Sequence, residues 1–156
     1  MTKSWESDIK ELKTTINAEY NWSVGACMER FFRELKNRKL TGVQCAACKK
    51  VYVPPRMICE YCFAETKDWV EVGPSGTIRS YTYGNVSVDT DVGGLKNQDE
   101  PEIIALIQLD KADSCIVHRI KEIDIADLKV DMRVEVVWAD ETAGKLADIN
   151  YFKPVK

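Results

Sequence analysis

Gln44-Cys45-Ala46-Ala47-Cys48-Lys49-Lys50 and, beyond a Pro54-Pro55 break, Cys59-Glu60-Tyr61-Cys62-Phe63 are the stretches on which the fold of this 156-residue chain turns. In each, two residues separate two cysteines. That spacing lets both thiolates of a pair reach one ion while neighbouring backbone amides point at the sulfurs, and two pairs complete a tetrahedral shell. Cys45, Cys48, Cys59 and Cys62 are therefore the expected ligands of a structural metal, zinc first. A shell closed by four protein ligands leaves no open position for substrate, so it argues for structure rather than metal catalysis. Iron suits the same four sulfurs and would make the chain a rubredoxin-like electron carrier. Such knuckles usually carry Gly after each pair and Pro inside the second, where this sequence has Lys49, Phe63 and Glu60. Two disulfides are the remaining alternative.

Outward from the knuckles, Gly42-Val43-Gln44 and Val51-Tyr52-Val53 are β-prone, and residues 41–69 read as a small metal-held ribbon. On the N-terminal side, Trp5, Ile9, Leu12, Ile16 and Tyr20 recur at helical steps, and Met28, Phe31, Phe32 and Leu35 repeat the pattern after a break at residues 21–25. A helical hairpin over residues 1–40 is expected, with Ser23 as a candidate cap of its second helix. From Gly73 onward the pattern is β. Strands are expected over residues 77–88, 103–109 and 114–120, then a short helix over 123–128, then strands over 133–138 and 147–152. Three strands, a helix and two strands is the element order of an OB-fold, a five-stranded barrel, although periodicity alone does not separate it from an SH3-like barrel. The fold class is thus mainly β with N-terminal helices: helical segment 1–40, zinc ribbon 41–69, OB-fold domain 70–156. Residues 86–102, rich in Asp and Glu with Gly93-Gly94 inside, read as a mobile acidic loop between the first two barrel strands.

With 45% hydrophobic and 30% charged residues the composition is that of a folded globular protein rather than a disordered one. The longest apolar run, Ile103 to Ile107, is far short of a membrane span. The N-terminal residues show no apolar core of an export signal. A cytoplasmic location is expected, and there six cysteines serve as ligands or free thiols rather than disulfides. The net charge of −3 gives non-specific nucleic-acid binding no help.

No phosphate loop, G-x-S-x-G elbow or kinase-like set is present. Cys27 falls in a helix and Cys115 in a strand, where a free cysteine packs as a small hydrophobe. The single histidine, His118, lies three positions beyond Cys115, and in a strand those two positions face opposite ways, so they form no Cys-His dyad. His118 shares a face with Ile116 and Ile120 and is expected to be partly buried and hydrogen-bonded, with a ligand or proton-transfer role as the alternative.

Taken with the knuckles, the string Gly25, Arg30-Phe31-Phe32, Leu35, Leu40, Gly42, Pro54-Pro55-Arg56, Trp69, Gly73, Gly76-Thr77-Ile78 and Ser80-Tyr81-Thr82 resembles a known family. Pro101, Ile104-Ala105 and the run from Leu128 to Val134 extend the likeness across roughly residues 20–155. The family is that of rubredoxin-like zinc ribbon plus OB-fold proteins associated with acyl-CoA metabolism. The resemblance implies a non-catalytic subunit of a hetero-oligomer, in which a thiolase or related condensing enzyme holds the reactive groups and this chain helps position acyl-CoA. The lead-in Tyr20-Asn21-Trp22-x2-Gly25 is similar to partners of thiolases acting on unusual acyl-CoAs, benzoylsuccinyl-CoA of anaerobic toluene breakdown among them. The chain departs from the family pattern at Lys49, Glu60 and Asp131, which bears on turn geometry and not on the sulfurs.

Residues 29–56 hold eight basic side chains against Glu29 and Glu34. Lys49, Lys50 and Arg56 are the candidates for coenzyme A phosphates, with Arg suited to forked contacts. Neutralising the sulfur shell, docking an acidic partner, or facing water are the competing roles of this patch. Binding of single-stranded nucleic acid is the alternative function; Tyr81 and Tyr83 alternate suitably for stacking, but the barrel half is too acidic for it.

Overall fold

The computed structural model describes residues 23–88 and 95–155. The first expected helix, and with it the hairpin, lies outside the described residues. Within them the chain forms one α-helix, α1 (Gly25–Lys36), a three-stranded ribbon of β1 (Thr41–Cys45), β2 (Val51–Tyr52) and β3 (Thr66–Glu71), and five barrel strands. These are β4 (Ser75–Val88), β5 (Leu95–Leu109), β6 (Cys115–Ile120), β7 (Arg133–Trp138) and β8 (Ile149–Pro154). They close a barrel in the order β4-β5-β6-β8-β7, with β7 returning to β4 and only the β6–β8 contact parallel. This is the OB arrangement the element order predicts.

Helix α1 forms because its apolar positions recur on one face. Phe31 and Leu35 on that face are completely buried, worth about 2–3 kcal/mol each. Val24, not Ser23, occupies the N-cap, and no side chain caps the helix. The Ser23 hydroxyl instead accepts the Gly25 N–H at 3.4 Å, one residue short of the amides a capping oxygen serves. Arg38, at φ +57°, turns the chain out of the helix, and its guanidinium donates to the carbonyls of Ala139 and Asp140 in the β7–β8 loop. The Thr142 hydroxyl of the same loop donates to the Lys36 carbonyl at 2.8 Å.

In the ribbon, β1 lies between β2 and β3. Gly42 is required there, since a Cβ would stand 2.7 Å from the Tyr52 carbonyl oxygen. No third ribbon strand is expected from the sequence, yet Thr66–Glu71 pairs with β1 from Thr41↔Glu71 to Cys45↔Thr66, with a register shift that skips Lys67. Ribbon, helix and barrel share one apolar core: Phe31, Leu35, Leu40, Val51, Val53 and Val72 pack with Ile78, Ile107, Leu109, Val134 and Phe152. Polar contacts lock the same junction. The Asp113 carboxylate accepts the Val51 N–H at 2.8 Å, and the Asp113 N–H donates to the Val51 carbonyl. The Ser114 hydroxyl takes the Val53 N–H and gives to the Val53 carbonyl.

The acidic segment differs from the expectation of a loop. The β4–β5 ladder continues beyond the barrel rim, pairing Val86 with Asn97 and Val88 with Leu95 after a register shift between Gly84 and Val86. Strand pairing needs only backbone partners, and acidic side chains on an exposed two-stranded ribbon stay solvated. Nearer the C-terminus, the expected helix is a 3-10 turn, Ile125–Asp127, and a second turn, Leu146–Asp148, delays the last strand to Ile149. Among the described residues no helix is long and apolar enough to cross a membrane.

Candidate metal centre

The two hairpin tips of the ribbon bring Cys45, Cys48, Cys59 and Cys62 together, with all four sulfurs within 4.8 Å of one another. The Cys45–Cys62 and Cys48–Cys59 sulfur separations are 3.4 and 3.6 Å. A disulfide requires about 2.05 Å, whereas ligands at about 2.3 Å around a tetrahedral zinc lie roughly 3.8 Å apart. The sulfurs therefore fit a metal shell and are not bonded in pairs. Cys45 and Cys59 are buried beside Val43 and Tyr52.

Backbone geometry explains how the shell is held. The Cys48 N–H donates to the Cys45 sulfur at 3.4 Å, and the Tyr61 and Cys62 N–H groups donate to the Cys59 sulfur at 3.4 and 3.5 Å. Each knuckle closes with an amide four residues on returning to its first cysteine: Lys49 to the Cys45 carbonyl, Phe63 to the Cys59 carbonyl. Those two residues carry φ of +64° and +59°, and Asp131 carries +65°. The left-handed turns that glycine makes freely are thus retained with side chains in place, at a cost of about 1–2 kcal/mol each. At Asp131 the carboxylate pairs with Arg79 at 2.7 Å.

Tyr52 adds a contact the spacing does not reveal. Its buried hydroxyl lies 3.1 Å from the Cys59 sulfur. Burial opposes a Cys59 thiolate, but the Tyr52 hydroxyl and the Cys62 and Tyr61 amides outweigh it and lower the thiol to about 6. For Cys48 the Lys50 amide favours the thiolate, yet burial and the other three sulfurs together push it up to about 12. A cation held among the sulfurs favours the thiolate form of its ligands.

The CoA candidates lie around the same knuckles. The Arg56 guanidinium stands 5.0 Å from the Tyr52 ring centroid and pairs with Glu60. The Lys50 ammonium lies 4.4 Å over the Tyr61 ring, and Lys49 is exposed in its left-handed turn. Much of the helical basic patch is engaged within the chain: Arg30 over Trp69 at 4.4 Å, Arg33 with Glu29 at 2.6 Å, Lys39 with Glu71 at 4.0 Å.

His118 is partly buried, as expected; its Nδ1 has no hydrogen-bond partner, and the ring meets Phe152 edge-on at 5.6 Å. The ladder beside it opens, since β6 and β8 pair only at Ile120 and Phe152, and no side chain from β8 reaches the ring nitrogen. Burial lowers the His118 pKa. Cys115 and Cys27 are partly buried free thiols, and burial raises the Cys115 thiol. Tyr81 packs against the core and gives its hydroxyl to the Leu128 carbonyl at 3.2 Å, which removes it as a stacking face.

Two family models match in tandem, ChsH2, rubredoxin-like zinc ribbon domain over residues 32–68, and ChsH2, C-terminal OB-fold domain over residues 69–139. A DUF35 domain-containing scaffold protein of Methanocaldococcus jannaschii is 32% identical over 132 residues, 81% of this chain and 90% of the relative. This chain belongs to the DUF35 family. A second DUF35 scaffold protein, from Methanothermobacter thermautotrophicus, is 27% identical over 133 residues, covering 80% of this chain and 94% of its own. Among solved structures, one named Ltp2-ChsH2(DUF35) aldolase matches with a TM-score of 0.60 at 23% identity, covering 86% of this chain and 98% of that one. A DUF35 protein of unknown function from Sulfolobus solfataricus also matches at 0.60, with 24% identity over 84% of this chain and 87% of that one. These structures share the fold. In this DUF35 protein the four-cysteine centre is a structural zinc site.

Proposed function

We propose that this DUF35 protein is a non-catalytic subunit of a cytoplasmic thiolase complex, holding a condensing enzyme in its working assembly and helping to position its acyl-CoA. The observation that carries the reading is the closed sulfur shell at the exposed end of a ribbon fixed to the barrel by Asp113 and Ser114. Such an arrangement presents a shape and offers no open coordination position. Elsewhere, Cys115 and His118 lie on opposite faces of β6, so neither activates the other. The relatives' description as scaffold proteins and the aldolase complex of the structural neighbour point the same way.

Lys49, Lys50 and Arg56 are proposed to meet the coenzyme A phosphates, and benzoylsuccinyl-CoA, an intermediate of anaerobic toluene breakdown, is proposed as the acyl substrate. The Tyr52 ring orients the Arg56 guanidinium, and its Glu60 pair is the contact that a phosphate would replace. Co-expression with the benzoylsuccinyl-CoA thiolase catalytic subunit tests the assignment. The two chains should elute together from size exclusion in a fixed ratio. Separate elution at micromolar concentration refutes it.

A further inference from the structure

The second knuckle carries side chains that the fold leaves unexplained. Met57, Ile58, Tyr61 and Phe63 are 66, 48, 69 and 79% exposed, while Cys59 between them is fully buried. Phe63 holds a left-handed conformation that glycine would adopt without strain, and its ring gains almost no burial in exchange. Strain kept at an exposed position points outward, to something the ring touches beyond this chain.

The first knuckle adjoins this tip, because the Lys50 ammonium rests on the Tyr61 ring at 4.4 Å. Arg56 and Lys67 are paired with Glu60 and Glu65. Lys49 and Lys50 have no carboxylate partner among the described residues. The tip is therefore apolar and aromatic with two unpaired cations at its edge, and its complement is an apolar hollow bordered by carboxylates. A second copy of this chain does not fit, since joining two such tips would bring four ammonium groups together.

We infer that Met57, Ile58, Tyr61 and Phe63, flanked by Lys49 and Lys50, are the surface by which this chain docks into an acid-bordered hollow on its partner enzyme subunit. The inference rests on the accessory-subunit reading and adds to it the face that makes contact. Aromatic anchors at the centre of an interface carry most of its affinity, and rim charges mainly set the association rate.

The test is a binding titration of the purified thiolase catalytic subunit against the full chain and its variants, with zinc content and thermal unfolding measured alongside. Phe63→Gly relieves the backbone, so it should keep zinc and unfold no earlier than the wild type, yet bind the thiolase at least tenfold more weakly. Tyr61→Ala should weaken binding similarly. Lys49→Glu with Lys50→Glu should slow association and reduce its sensitivity to salt. If Phe63→Gly and Tyr61→Ala bind within twofold of the wild type, this face is not the docking surface, and the accessory role survives. If the wild type does not bind the thiolase, both readings fall. Should Phe63→Gly and Tyr61→Ala lose affinity for acyl-CoA or a single-stranded oligonucleotide while keeping the thiolase, the face serves a ligand and the docking inference is overturned.

Discussion

The Tyr52 hydroxyl and the Asp148 carboxylate are single groups that govern negative charge inside this protein. Tyr52 lies against the Cys59 sulfur, and that hydrogen bond, with burial, holds its own pKa above the ordinary value. Contacts of this kind around metal ligands are typically worth about 10–100-fold in metal affinity. Tyr52→Phe keeps the packing and removes only the donor, so zinc should transfer to a competing chelator about tenfold more readily while the fold stays intact. Asp148 is buried, and burial alone would raise its pKa. The amides of Ala143, Gly144 and Lys145 outweigh that and lower it below 3.8. An acid depressed in this way stabilises the fold fully above its unfolded value, and the contribution is lost as pH falls through the lower folded value. Asp148→Asn should cost about 1–3 kcal/mol near neutral pH and flatten the fall in the urea midpoint below about pH 4. A variant with the wild-type slope would show the carboxylate is not ionised in the fold. Neither role is visible in the sequence: Tyr52 meets the Cys59 sulfur only once the ribbon folds, and the amides of Ala143, Gly144 and Lys145, near Asp148 in the chain, aim at its carboxylate only in the folded turn. The cysteine ligands are legible because the spacing of a knuckle is itself the geometry of the site. Lys49 and Phe63 mark the boundary between these cases: they are departures from glycine in the sequence, and only the structure tells that the left-handed turn is kept beneath them.

Between elements, the ribbon and barrel are joined by hydrogen bonds that belong to neither sheet. Asp113 and Ser114 end the β5–β6 turn and hold Val51 and Val53, so they align β2 with the barrel. Asp113→Ala with Ser114→Ala should increase amide exchange across β1 and β2 by at least tenfold, with little change in β7 and β8. Uniform exchange across both parts would mean that the apolar core alone fixes the junction. The order of barrel strands is readable because alternation and turn residues punctuate each one. The extension of the β4–β5 ladder is not, since a solvated two-stranded ribbon needs no apolar face and so leaves no periodic pattern. Strand β3 is obscured for a similar reason: Lys67 and Asp68 interrupt it, and β1 supplies the partner that makes it a strand.

At the scale of the molecule, zinc and core divide the labour of folding. The barrel packs in one large apolar core with the helix and the inner ribbon residues, whereas the outer ribbon cluster consists of Val43, Tyr52 and two of the sulfurs themselves. Small units of that size depend on their metal. Cys59→Ala, or stripping the metal with a strong chelator, should unfold the ribbon, leave the barrel's circular dichroism largely intact and abolish assembly with the thiolase. Retention of both metal and assembly by the variant would show that the ribbon stands without its fourth sulfur.

Thioester turnover, measured with the thiolase subunit alone, with this chain alone and with the two combined, tests whether the reactive groups lie outside this chain. This chain alone should give no turnover, and full activity should require the pair. Thiolytic cleavage by the isolated chain, or full activity of the thiolase without it, would overturn the accessory role.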